Sequence, residues 1–222
     1  HAHPRERRRI ARDLQAVFQD PYTSLNPSMT VGEILSEPLI AQGASPRDAR
    51  AKVAALLDQV GLPRDASARL PREFSGGQRQ RVAIARALAP APKLIVCDEP
   101  VSALDLSTQG LVLDLLIDIQ RRTGIAYLFV SHDLTVVRHI SHRVSVVYKG
   151  DIVESGNAAM ITSRPVFSWP SVSTAMRLIL SGGITGTKRI ADLAALYERQ
   201  RKRGERRAAH PVHDQVGIAL RA

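Results

Sequence analysis

Phe74-Ser75-Gly76-Gly77-Gln78-Arg79-Gln80-Arg81 runs from a short polar loop with two adjacent glycines straight into an alanine-rich stretch, Val82 to Ala89. The glycines let backbone approach a ligand closely. The helix that follows aims unpaired N–H groups and the positive end of its dipole at whatever lies in front of it. Such an arrangement suits a phosphate. A few residues on, Leu94-Ile95-Val96-Cys97-Asp98-Glu99-Pro100 reads as a buried strand that ends in two carboxylates. A phosphate cradle beside a strand-end acidic pair is the equipment of a nucleotide-hydrolysing protein.

Working outward, apolar strands are separated by amphipathic helices. A helix over about 77–89 leads to a strand over 93–98, a helix over about 107–122 with Ser107 as its N-cap, and a strand over 125–130. A helix over about 133–140 and a hairpin over 143–148 and 151–154, turning at Lys149-Gly150, complete the pattern. Alternation of this kind predicts an α/β fold with a parallel sheet built from βαβ units. Ligand-handling residues in such sheets lie at the carboxyl ends of the strands. Asp98 and Glu99 end one strand and Ser131-His132-Asp133 end the next, so both groups are expected at one edge.

Upstream, Leu14 to Phe18 reads as a short strand before a turn-rich loop holding Pro21 and Pro27. Val31 to Leu39 reads as a helix broken at Pro38. Ser45-Pro46 starts a clear helix, with serine as N-cap and proline at the first helical position. It runs to about Val60 and stops at Gly61 and Pro63. The organisation expected is a basic lead-in over 1–13 and a partial nucleotide-hydrolase domain over 14–156. Within that domain a helical lobe covers 31–89 and a sheet core covers 93–156; a basic extension covers 157–222. In that extension only Ile190 to Arg203 reads as a helix.

The net charge of +10 concentrates at the ends of the chain. Residues 1–13 hold five arginines against two acids, and residues 186–222 hold nine Lys/Arg against four acids. Those basic ends lack the interleaved aromatics and stacking platform of a nucleic-acid binder, and no nucleic-acid partner is expected. The single cysteine, Cys97, falls inside an apolar strand and suits a reducing, cytoplasmic setting. No apolar run reaches the length of a membrane span.

The candidate chemistry follows from residue type. Asp98 suits Mg²⁺, a hard cation that prefers carboxylate and water oxygens. Glu99, past the strand end, could orient or deprotonate an attacking water. His132 could reach a γ-phosphate, or be a structural histidine. Gln19 could bridge metal and water through its amide, or be an ordinary loop residue. Asp105 could contact a second subunit, or cap the helix that begins beside it.

These motifs resemble those of the ATP-binding cassette (ABC) family. Phe74-Ser75-Gly76-Gly77-Gln78 matches its signature loop, and Leu94 to Glu99 its Walker B strand with the catalytic glutamate. Ser102 to Asp105 matches the D-loop, His132 the switch histidine, and Val17-Phe18-Gln19-Asp20-Pro21 the Q-loop. Phe18 to Pro27, Val31-Gly32-Glu33-Ile34 and Glu37-Pro38-Leu39 are similar to the dipeptide/oligopeptide importer branch, which also includes nickel importers. The resemblance covers roughly 14–156. It implies a P-loop NTPase-like (RecA-like) parallel core with a helical signature subdomain, and ATP and Mg²⁺ as cofactors. Glu99 and His132 would be catalytic. Gln19, Ser75, Gly76, Gly77, Gln78, Asp98 and Asp105 would contact ATP, with Asp98 and Gln19 at the metal. It also implies pairing with a second ATPase subunit, docking on transmembrane permease subunits, and a peripheral place on the inner face of the membrane.

The family also carries a phosphate-wrapping loop, G-x-x-x-x-G-K-[ST], well before the Q-loop. The eighteen residues before Gln19 hold none, and Gly182-Gly183-Ile184-Thr185-Gly186-Thr187-Lys188-Arg189 is a poor imitation on the wrong side of the signature. A truncated or frame-shifted chain with weak ATPase activity of its own is therefore expected. The alternative is a non-catalytic regulatory or interaction module that keeps the dimer-facing surface.

Overall fold

The structure, a computed structural model, describes residues 10–148, 151–163, 177–179 and 220–221. The chain divides into two compact units, one through Ala126 and one from Tyr127. No helix among the described residues is long and apolar enough to cross a membrane.

In the first unit, strand β1 (Leu14–Val17) pairs in parallel with β2 (Leu94–Asp98), Val17 facing Cys97 in the register. Leu94 to Cys97 are all buried, so β2 is covered on both faces and reads as a continuous apolar run. A short helix α1 (Pro21–Ser24) precedes a helical lobe of α2 (Val31–Ala41), α3 (Pro46–Gln59) and α4 (Gly76–Leu88). Helix α4 buries Val82, Ala83, Ile84, Ala85, Ala87 and Leu88 and packs against α1, α2, α3 and β1. Helix α5 (Leu106–Thr123) closes the unit and ends on Gly124 in the left-handed region at φ 69°, where glycine carries no Cβ penalty.

Two expectations are corrected here. Helix α2 is not broken at Pro38; it continues through the proline to Ala41. The ring removes one backbone donor at a cost of about 3 kcal/mol. Four aliphatic residues, Val31, Ile34, Leu35 and Leu39, are buried along the same helix. At roughly 1.5–3 kcal/mol each, their burial outweighs the proline. The N-cap of α5 is Asp105, not Ser107, because its carboxylate accepts from the Thr108 N–H at 3.0 Å. The Ser45 cap and Pro46 at the head of α3 are as the sequence predicts.

In the second unit, β3 (Ala126–Ser131) is followed by α6 (Leu134–Ile140), the hairpin strands β4 (Arg143–Tyr148) and β5 (Asp151–Asn157), and α7 (Ala158–Thr162). The hairpin is longer than the sequence predicts, with a register shift between Val146 and Val147. Strand β6 (Arg177–Ile179) pairs antiparallel with both β3 and β4, and β7 (Leu220–Arg221) pairs with β3. Neither strand is visible in the sequence, where two- and three-residue segments carry no period. The expected turn at Lys149-Gly150, the glycine stretch 182–189 and the helix Ile190 to Arg203 lie outside the described residues.

Candidate functional site

The parallel register fixes the first relationship. Gln19 and Glu99 each lie two residues beyond the matched pair Val17 and Cys97, so both leave the carboxyl end of the β1–β2 pair. Asp98 is the last residue of β2 and half-buried; Gln19 is exposed. Burial, then the neighbouring Asp98 carboxylate, push the Cys97 thiol well above its ordinary range.

Glu99 has backbone φ 47°, the left-handed region that a side chain with a Cβ rarely enters. Its carbonyl accepts from Ser102 N at 3.2 Å and Ser102 Oγ at 3.0 Å, which closes a turn directly behind the strand. A glutamate held there where a glycine would be easier is a strained residue at a strand end, the kind of position that clusters at functional sites.

Ser75, Gly76, Gly77 and Gln78 form the first turn of α4. Ser75 and Gln78 cap each other: Gln78 N donates to Ser75 Oγ at 3.3 Å and Ser75 N donates to Gln78 Oε1 at 2.9 Å. Two donors of the turn are thereby used. The N–H groups of Gly76 and Gly77 are the ones such a turn offers to an anion.

Asp105 is exposed and makes a dense local cap. Its carboxylate accepts from Ser107 Oγ at 2.5 Å, Thr108 Oγ1 at 2.7 Å and Thr108 N at 3.0 Å. Those hydroxyl bonds, first that from Ser107, hold its carboxyl far below the usual carboxylate range. Of the two alternatives for Asp105, helix capping is present in the structure.

His132 belongs to the second unit, exposed, one residue past the end of β3. Beside it Asp133 caps α6 by accepting from Thr135 N at 2.7 Å, and Asp133 N donates to Ser131 Oγ at 3.1 Å.

Among the described residues no three His, Cys, Asp or Glu side chains gather as a metal cage. Mg²⁺ at a nucleotide needs none, because it takes one or two protein oxygens and fills its octahedron with phosphate and water. The half-buried Asp98 carboxylate and the Gln19 amide are oxygen donors of that kind, and they fit.

Two residues that sequence reasoning overlooked bear on this site. Arg86 of α4 is half-buried and its Nη1 donates to the Ser24 carbonyl at 2.5 Å, tying α1 to α4. Burial lowers its pKa, and the Glu37 carboxylate partly offsets this. Thr108 packs behind Gly77. The only advance signal was the Asp105-x-x-Thr108 spacing, which is that of an N-cap with its third helical residue.

A family model described as ABC transporter matches residues 1–102. The chain is similar to the glutathione import ATP-binding protein of Shigella flexneri, at 55% identity over 157 residues covering 70% of this chain and 25% of that protein. It is similar to the oligopeptide transport ATP-binding protein of Mycobacterium bovis at 51% over 160 residues, covering 72% and 26%. The chain thus spans about a quarter of the length of these curated relatives. A solved structure of cbiO1 from Clostridium perfringens, part of the ABC transporter complex cbiONQ, superimposes with TM-score 0.67 at 26% identity, covering 73% of this chain and 64% of that one. A dimeric, post-hydrolysis structure of the ATP-binding cassette MJ0796 bound to ADP and Pi superimposes with TM-score 0.59 at 31% identity, covering 71% and 68%. The chain belongs to the ATP-binding cassette family. The cassette's fold is α/β of the P-loop NTPase type, as its strand and helix order predicts. The matched residues 1–102 of the cassette include Gln19, the Ser75–Gln78 turn, Asp98 and Glu99.

Proposed function

We propose that this chain is an ATP-binding and ATP-hydrolysing subunit of an ABC importer, energising uptake of dipeptides or oligopeptides. The observation that carries the reading is Glu99, held with φ 47° directly behind Asp98 in a chain of this family. Its relatives named for glutathione and oligopeptide import support the peptide class, glutathione being itself a tripeptide.

In this reading Asp98 and Gln19 would hold Mg²⁺, which would supply neutralising charge for a triphosphate. Glu99 positions and deprotonates the attacking water. His132 would act at a γ-phosphate, the role that the family resemblance implies for it. The Ser75 hydroxyl with the Gly76 and Gly77 N–H groups, flanked by Gln78, closes on the triphosphate of a second ATP-binding subunit, and Asp105 lies at that junction. Permease subunits receive the resulting motion through the segment after Gln19 and the helical lobe, which places the chain on the cytoplasmic face of a membrane.

The test is MgATP-dependent association of the 222-residue chain with a full-length relative, the glutathione import ATP-binding protein of Escherichia coli, followed by sedimentation. Association that requires ATP and is lost on Ser75→Arg supports the reading. No association, or association indifferent to nucleotide, counts against it.

A further inference from the structure

The two glycines of the Ser75-Gly76-Gly77-Gln78 turn exist for different reasons. Neither needs a left-handed backbone: the glycines with positive φ among the described residues are Gly43, Gly61 and Gly124. A Cβ built on Gly76 would meet only Leu104 Cδ2 at 3.4 Å, the far end of a flexible side chain. A Cβ built on Gly77 would lie 2.4 Å from Thr108 Cγ2, a distance real Cβ atoms do not adopt. The next nearest atom, Thr108 Cβ, is at 3.8 Å, an ordinary contact. One methyl group therefore forbids a side chain at Gly77.

That methyl is not free to turn away. Thr108 donates through Oγ1 to Asp105 Oδ2 at 2.7 Å and through its backbone N to Oδ1 at 3.0 Å, which locks its rotamer. We infer that Thr108, held by Asp105, is a positioning residue. It seats buried Gly77 and thereby fixes where the first turn of α4 points its Ser75 hydroxyl and Gly76 N–H. This rests on the proposed role of that turn at a shared nucleotide site. Glycine inside a helix weakens it relative to alanine, so Gly77 needs a reason. The seat supplies it from inside the chain.

A reciprocal cycle on the full chain tests this, with Gly77→Ala, Thr108→Ser and the double variant. Thr108→Ser removes Cγ2 and keeps the hydroxyl that bonds Asp105. Gly77→Ala alone overpacks the seat and lowers Tm by roughly 5 °C. Thr108→Ser alone empties the seat and lowers Tm by roughly 3 °C. It also raises the ATP concentration for half-maximal turnover of the pair formed with the Escherichia coli relative, with kcat unchanged, a split that a merely structural role would not produce. The double variant refills the space and returns Tm to within about 2 °C of the parent. If Gly77→Ala alone does not fold, recovery of a cooperative melt in the double variant supports the seat, and a double variant that also fails overturns it. If the parent pair shows no turnover, the functional reading fails while the Tm cycle still decides the seat.

Discussion

Gln19 and Glu99 leave a parallel strand pair at equal depth, each two residues beyond the matched Val17 and Cys97. In the proposed function one is a metal-bridging amide and the other a water-orienting carboxylate, and the register starts both from one end of the strand pair. Glu99→Gln should lower the chain's own small turnover by roughly 10²–10⁴-fold, the usual contribution of a positioned general base, and leave the Escherichia coli relative's turnover unchanged. Nucleotide-dependent association should persist. Gln19→Ala should raise the Mg²⁺ concentration needed for turnover, and chelation by EDTA should abolish it. Turnover unaffected by Glu99→Gln would remove that residue from the chemistry.

Glu99 also makes a prediction that separates stability from activity. A residue with a Cβ pays about 1 kcal/mol or more for a left-handed backbone that glycine adopts freely. Glu99→Gly should therefore stabilise the fold by about 1 kcal/mol, or roughly 2–4 °C in Tm, while turnover disappears. A drop in Tm would mean that the carboxylate's own contacts outweigh the strain.

The Arg86 tie is a second target. Arg86→Met keeps most of the aliphatic stem and leaves the Ser24 carbonyl without its donor, at an expected cost of about 1–3 kcal/mol by denaturant unfolding. Arg86→Lys should fall between, because an ammonium lacks the planar reach of a guanidinium. An Arg86→Met chain as stable as the parent would show that water replaces the bond without penalty.

Asp105 has a pH signature. Its folded pKa is depressed by the Ser107 and Thr108 bonds, so its contribution is present above the unfolded carboxyl value of about 3.9. It is lost as pH falls from there through the folded value. The stability gap between the parent and Asp105→Ala should be flat near neutrality and shrink as the pH falls below about 4. A gap that widens in acid would contradict the cap. Asp105→Asn, an equally good N-cap without the charge, should keep α5 and lose the pH dependence.

The parts of this molecule that the sequence makes legible are those set by neighbours along the chain. The Ser45-Pro46 start of α3, the buried run of β2 and the carboxylates at its end are local signals, and the structure holds them where periodicity and capping predict. Pro38 misleads because propensity counts one lost donor and burial counts four aliphatic side chains. Ser107 misleads because Asp105, two residues earlier, is the stronger acceptor and takes Ser107 as a donor. Strands β6 and β7 are too short to carry a period and take their form from pairing with β3 and β4. The Thr108 seat and the Arg86 tie join residues 31 and 62 positions from their partners, beyond any local pattern.

In the proposed function, the Ser75 turn of this chain completes a triphosphate site across a pair. Initial rates of ATP hydrolysis should be compared for the chain alone, the full-length Escherichia coli relative alone, and the two together. The chain's 222 residues hold no G-x-x-x-x-G-K-[ST] loop, so alone it should turn over little. The mixture should exceed the sum of its parts, and the excess should vanish with Ser75→Arg in this chain. A mixture whose rate equals the sum, or a chain that alone hydrolyses ATP at the rate of the relative, would contradict the account.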